Sequence, residues 1–200
     1  MASAVILAGG RGSRMGAPKA TMRFGAGTII ERIVAELRRG FADIVIVAAP
    51  LSEARPAIQA AGASTIHDDA AFEGPVGALA RGLRAARSEI VFACSCDMPM
   101  IRMEVARMLC GKIRGRDAVI PEIGGRLQPL CAVYRRGCSR VLARMAARGD
   151  RRLTEIADQV DARFIGEREL RAVDPELTSF INVNTPEDYA RALRMIGEGG

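Results

Sequence analysis

The sequence predicts an α/β fold: a mostly parallel sheet between two layers of helices, with an antiparallel element in the C-terminal half. Three observations predict it. Over residues 4–120, short apolar runs alternate with segments whose apolar residues recur at helical spacing. Glycines or acids follow the ends of several apolar runs, which is where open α/β sheets bind ligands. After Pro121 the order changes, because Gly124-Gly125 marks a hairpin and residues 128–134 read as a returning strand.

The elements follow in order. Residues 4–7 form a wholly apolar first strand. A helix covers 29–39, since Ile30, Ile33, Val34 and Leu37 share one face. Residues 43–47 are the second strand, and 52–61 a helix capped by Ser52. A short strand at 63–66 precedes a helix at 77–86. Residues 90–94 are the most apolar strand, and Asp97 lies just beyond it. A helix at 103–113 leads to a strand at 118–120. Beyond the hairpin come helices at 139–148 and 152–157, then a strand at 162–165. The last helix, 186–196, has Thr185 as its cap and Pro186 at its first position. The terminal glycines are expected to fray. No linker, repeat or low-complexity stretch divides the chain, so 1–200 reads as one domain.

Bulk properties narrow the function. Two hundred residues, 49% of them apolar, suit one sizeable core and exclude disordered and fibrous classes. No apolar run is long enough for a membrane span, and no signal-peptide pattern opens the chain, so a cytoplasmic protein without a membrane partner is expected. The five cysteines form no CxxC pair; Cys94 and Cys96 share one face of a strand and read as buried thiols. His67 is the single histidine, which argues against a zinc site or a histidine-based triad. The net charge of +6 suits an anionic ligand. With no Trp, six Phe and two Tyr, and basic residues spread over several helices, no nucleic-acid partner is expected.

The stretch Ala4 to Lys19, AVILAGGRGSRMGAPK, carries the chemistry. Gly9, Gly10, Gly12 and Gly16 leave backbone N–H groups unshielded, and Arg11, Arg14 and Lys19 add positive charge. Together they fit a nucleoside triphosphate. A P-loop is excluded because Ala20, not a hydroxyl residue, follows Lys19. A dinucleotide fingerprint fits poorly: its glycine spacing is one residue too long, and Ala48-Ala49-Pro50 offers no ribose-binding acid after the second strand. A turn that binds nothing would leave three cations repelling one another.

Four further segments stand out. Asp97, in Ser95-Cys96-Asp97-Met98-Pro99, suits a magnesium ligand at a strand end; a helix-capping acid is the plainer alternative. Asp68 and Asp69 follow the third strand, where an exposed turn is about as good a reading. Residues 72–79 are small-residue rich, and 125–130 place Gln128 and Pro129 on a late strand. In Ile181-Asn182-Val183-Asn184-Thr185-Pro186-Glu187-Asp188, alternation puts both asparagines on one face, while Thr185 and Asp188 have the spacing of a capping box.

Leu7-Ala8-Gly9-Gly10, Arg14-Met15-Gly16 and Lys19 resemble, in order and spacing, the signature of nucleotidyltransferases of the molybdenum cofactor guanylyltransferase type. Asp97 before Pro99, the Gly-Pro segment at 74–77, Gln128-Pro129 and the Asn-x-Asn-Thr-Pro-Glu run extend the resemblance to about residue 190. It implies a three-layer, Rossmann-like nucleotidyltransferase fold that moves GMP from GTP to the terminal phosphate of molybdopterin and releases pyrophosphate. It implies Mg²⁺ as cofactor, held by Asp97. Lys19, Arg14 and Asp97 would be catalytic. Leu7, Ala8, Gly9, Gly10, Lys19, Asp68 and Asp97 would bind the nucleotide from the N-terminal half. Asn182 and Asn184 would bind the pterin from the C-terminal half. Proteins that deliver and receive the cofactor would be the partners. The second glycine of the Leu-Ala-Gly-Gly run favours guanylyl over cytidylyl transfer. Ala48 departs from the pattern, which has an asparagine touching the nucleotide after the second strand. Transfer from CTP, a sugar-phosphate acceptor, and a non-catalytic GTP-binding homologue remain open alternatives. Retention of Lys19 together with Asp97 counts against the last.

Overall fold

The structure, a computed structural model, describes residues 2–8, 19–48, 61–67 and 74–197. The expectations for Gly9, Gly10, Arg14, the Ser52 helix and Asp68 lie outside these residues.

Strand β1 (Ala2–Ala8) is central. It pairs in parallel with β4 (Asp43–Ala48) on one side and β6 (Ile90–Ser95) on the other, and β4 pairs in parallel with β5 (Ser64–His67). Two short strands, β2 (Arg23–Phe24) and β3 (Gly27–Thr28), form a separate hairpin. On the far side β9 (Cys131–Arg135) runs antiparallel to both β6 and β7 (Ala118–Ile123). The short β8 (Arg126–Leu127) folds back on β7, and β10 (Ala162–Gly166) closes that edge in parallel. The order is β10-β7-β9-β6-β1-β4-β5. Thus the change of sequence texture after Pro121 marks a real reversal of strand direction.

Alternation sorts the sheet into two cores. Ala4, Ile6, Ile44, Ile46 and Phe92 face one; Val5, Leu7, Val45, Val47 and Val91 face the other. Because both faces are covered, the central strands read as unbroken apolar runs. Helices α1 (Ile29–Arg38), α3 (Met103–Gly111) and α6 (Pro186–Gly197) pack on the first face. Helices α2 (Pro75–Ala85) and α4 (Cys138–Ala147) pack on the second. A one-turn helix, α5 (Glu167–Leu170), follows β10.

Local signals account for the boundaries. Thr28 and Glu31 form a reciprocal capping box on α1. Gly124 (φ 55°) and Gly125 (φ 71°) make the two-residue hairpin turn that only positive φ allows. Helix α2 starts two residues before the sequence expectation, with Pro75 in its first turn and Gly74 (φ 83°) as its cap. Gly82 lies against the sheet so closely that a Cβ there would sit 2.5 Å from Val5 Cγ1. Two expectations need correction. Residues 152–157 are not an α-helix; Leu153–Asp158 form a 3₁₀ helix. The returning strand begins at Cys131 rather than 128, since Gln128 N donates to Pro121 O in the hairpin and Pro129 has no N–H for a ladder. Ala48 closes β4 and is buried in the first core. Among the described residues, no helix is long and apolar enough to cross a membrane.

Candidate active site

The site lies beyond the C-terminal ends of β1 and β6. Cys96 N donates to Leu7 O at 2.9 Å, which continues the ladder one residue past β6, and Met98 N turns back to Ser95 O at 3.2 Å. The buried strand therefore delivers Asp97 on a fixed turn. Leu7 and Ala8 are the last residues of β1. Val183 N donates to Asp97 O at 2.7 Å and holds the extended 181–185 segment against that turn.

Lys19 enters from the opposite side, on a 3₁₀ turn formed by Lys19–Thr21. Its Nζ donates to Asn184 Oδ1 at 2.6 Å and lies 3.7 Å from Asp97 Oδ2. Both charged side chains are about four-fifths buried (19% and 22% exposed), so their attraction is screened less than at a free surface. The second carboxylate oxygen, Asp97 Oδ1, is buried and has no hydrogen-bond partner among the described residues.

Asn184 is itself fixed from behind. Asp188 Oδ2 accepts from Asn184 N at 3.0 Å and from Thr185 N at 2.9 Å, while Asp188 N donates to Thr185 Oγ1. The backbone N–H of Asn184, first among several donors, holds the Asp188 carboxyl below its ordinary range. The capping box read from the sequence is thus present, and it does a second job by fixing the asparagine that holds Lys19. Helix α6 is tied to the lysine segment again where the Tyr189 hydroxyl donates to Arg23 O.

A cavity of about 210 Å³ opens beside Asp97. Ser95, Gln128, Leu130, Leu153 and Asn182 line it. The structure therefore brings Lys19, Asp97 and Asn184 into one contact and sets Asn182 on the cavity wall. Buried Val183 separates the two exposed asparagines, as alternation predicts, yet they have different neighbours. Sequence reasoning missed Leu153, which reaches the cavity from a 3₁₀ helix with no motif of its own. It also missed Asp188's hold on Asn184, although the capping spacing was visible.

Other groups are chemically quiet. Cys94 and Cys96 both face the first core, and burial pushes the Cys96 thiol up to about 12, so it stays protonated at neutral pH. His67 is exposed at the end of β5. No cluster of three His, Cys, Asp or Glu able to hold a metal occurs among the described residues.

A lysine and a carboxylate thus face each other across the ends of β1 and β6, beside an open cavity. The chain matches the model of the MobA-like NTP transferase domain over residues 4–163, and it belongs to that family. It is 35% identical over 198 residues to the molybdenum cofactor guanylyltransferase of Desulfosudis oleivorans, covering 98% of this chain and 96% of that protein. It is also similar to the crystal structure of molybdopterin-guanine dinucleotide biosynthesis protein A from Archaeoglobus fulgidus. There the TM-score is 0.86 at 26% identity, covering 99% of this chain and all of the other. The fold alone is shared with 2-C-methyl-D-erythritol 4-phosphate cytidylyltransferase from Thermus thermophilus, with TM-score 0.68, 20% identity and 98% of each chain covered.

Proposed function

We propose that this chain transfers GMP from Mg-GTP to the terminal phosphate of molybdopterin and releases pyrophosphate. The observation that carries the reading is the pair of contacts that Lys19 makes with Asp97 and Asn184 beside a cavity formed largely by C-terminal residues. Its support also includes family membership and the relatives' names.

The acceptor phosphate is already an anion, so attack on the α-phosphorus needs no general base. One oxygen–phosphorus bond forms, the bond to the leaving pyrophosphate breaks, and no proton moves in the step. The protein's task is alignment and charge neutralisation. Lys19 would bind the triphosphate, with Arg14 and the backbone N–H groups of the glycine loop completing the cradle. Leu7, Ala8, Gly9, Gly10 and Asp68 would complete the nucleotide site. Asn184 keeps Lys19 Nζ from swinging into solvent. Asn182, with Ser95 and Gln128, would orient the pterin in the cavity.

The residues fit Mg²⁺. A buried carboxylate oxygen left without a donor is costly, and Asp97 Oδ1 is such an oxygen. A hard cation with one or two protein carboxylates and substrate phosphates as ligands matches that donor set. When bound, the ion would supply Lewis-acid stabilisation of the phosphate charge. Proteins that deliver the pterin and receive the dinucleotide are the proposed partners.

Pyrophosphate release, measured with molybdopterin and each of the four nucleoside triphosphates, tests the reading. GTP is expected to exceed CTP by about tenfold or more, a difference of about 1.4 kcal/mol. Preference for CTP would replace guanylyl by cytidylyl transfer. Binding of GTP without turnover would make the chain a non-catalytic relative.

A further inference from the structure

One face of the molecule is rich in positive charge. Helix α2 carries Arg81 and Arg84 and no acid; residues 138–152 carry Arg140, Arg144, Arg148, Arg151 and Arg152 against Asp150 alone. Removing these seven arginines and Asp150 from the chain's 29 basic and 23 acidic residues leaves 22 of each sign. An excess of six positive charges, equal to the net charge of the chain, therefore sits on α2, α4 and the five residues that follow α4, and the two helices pack side by side on the second face of the sheet.

Internal pairing does not account for this charge. Arg148 pairs with Asp150 and Arg152 with Glu155. Among the described residues, Arg84, Arg140, Arg144 and Arg151 take part in no ion pair. Arg140 and Arg144 on α4 and Arg148 at its C-terminal cap follow one another at intervals of four, a like-charge spacing that weakens the helix carrying it.

Between α2 and α4 runs a groove of about 370 Å³. Gly77, Ala80, Ala143 and Ala147 line it with small side chains, and Arg81, Arg84 and Arg151, against the single acid Asp150, line it with charge. An apolar inner surface with cationic sides suits a narrow chain that buries methyl groups and sets carboxylates outward on both sides. A nucleic-acid duplex is too wide to enter such a groove. A single strand would find no stacking surface, because neither segment contains Phe, Tyr or Trp. A lipid surface calls for large apolar side chains on the docking face, and the exposed one among the described residues, Phe164, belongs to β10. The groove's lining runs through Asp150 and Arg151, and two residues further on Leu153 lines the cavity beside Asp97.

We propose that the α2–α4 groove docks an acidic amphipathic segment of the protein that hands the pterin to this chain or takes the dinucleotide from it. The docking is independent of the chemistry; only the partner's role rests on the proposed guanylyl transfer. Electrostatic complementarity of this kind speeds encounter and selects partners more than it adds affinity, which suits a brief hand-over.

The test uses the full chain and a fluorescent peptide of about 20 residues, with glutamates flanking an Ala/Leu stripe at helical spacing. A scrambled peptide of the same composition, an RNA duplex of equal charge and phosphatidylserine vesicles are compared with it. The patterned peptide is expected to bind about tenfold more tightly than the scrambled one, with hydrogen-exchange protection over residues 75–85 and 138–151. The triple substitution Arg84→Glu, Arg144→Glu, Arg151→Glu is expected to weaken it about tenfold or more. Ala147→Phe, which fills the groove, is expected to erase the preference for the patterned peptide. Both variants keep wild-type circular dichroism and pyrophosphate release. Equal affinity for the two peptides, tighter binding of RNA or vesicles, or unchanged binding in the charge-reversed variant would each overturn the proposal.

Discussion

Two regions of this molecule use cations in opposite ways. At the strand ends Lys19 is matched inside the protein, with Asp97 3.7 Å away, Asn184 at 2.6 Å and Asp188 holding Asn184 from behind. On the α2–α4 face Arg148 meets Asp150 and Arg152 meets Glu155, while Arg84, Arg140, Arg144 and Arg151 take part in no ion pair among the described residues. A matched, partly buried cation is pre-positioned, so its reorganisation is settled before a substrate arrives. An unmatched cation on a solvated helix does little for the fold and waits for an external anion. Substitutions at the two places should therefore affect different measurements.

The largest effect is expected at the matched site. Lys19→Met should lower kcat/KM for nucleotidyl transfer by about 10²-fold or more, with an unchanged circular-dichroism spectrum. A loss under about threefold would mean that Lys19 is a structural ion pair only. Asn184→Ala comes next. It leaves Lys19 charged but free to swing, and should raise KM for the nucleotide about tenfold with a smaller change in kcat. An unchanged nucleotide KM with a raised pterin KM would instead return Asn184 to the acceptor side.

Asp188 gives a smaller, pH-dependent effect. Its folded carboxyl titrates below its ordinary value of 3.8. A depressed carboxylate stabilises the fold fully above its unfolded pKa and loses that contribution as pH falls through the folded one. Asp188→Asn should therefore melt at a lower temperature than the wild type at neutral pH, and the gap should narrow below about pH 4. A gap constant from pH 7 to 3 would show that the carboxylate charge plays no part. The smallest effect belongs to the unmatched face. Arg84→Glu with Arg144→Glu should change stability by no more than about 0.5 kcal/mol in thermal melts and leave turnover intact. A larger loss of either would show that these arginines serve the fold.

Legibility in the sequence follows the same division. The strand–helix alternation, the hairpin at Gly124-Gly125 and the cap at Thr185 are local patterns with local causes, and sequence alone locates them. That Lys19 and Asp97 share one end of the sheet is legible from their places after strand ends and from the family resemblance; proximity between residues 78 positions apart is a product of strand order, which periodicity does not encode. Asn182 and Asn184 were legible as a pair but not as residues with different neighbours, since that depends on Lys19 arriving from residue 19. Leu153 carries no signal, because a 3₁₀ turn has no amphipathic period to detect. The charge of α2 and α4 was countable along the chain, but it read as arginines scattered over several helices until the sheet placed the two helices side by side.

The central claim is that Lys19 and Asp97 grip one nucleotide through a shared metal-dependent contact. Calorimetric titration of GTP into the wild type and Asp97→Asn, with and without Mg²⁺, tests it most directly. The account predicts that Mg²⁺ tightens GTP binding to the wild type by about tenfold or more and leaves the variant's affinity unchanged. Equal enhancement by Mg²⁺ in both proteins would contradict it.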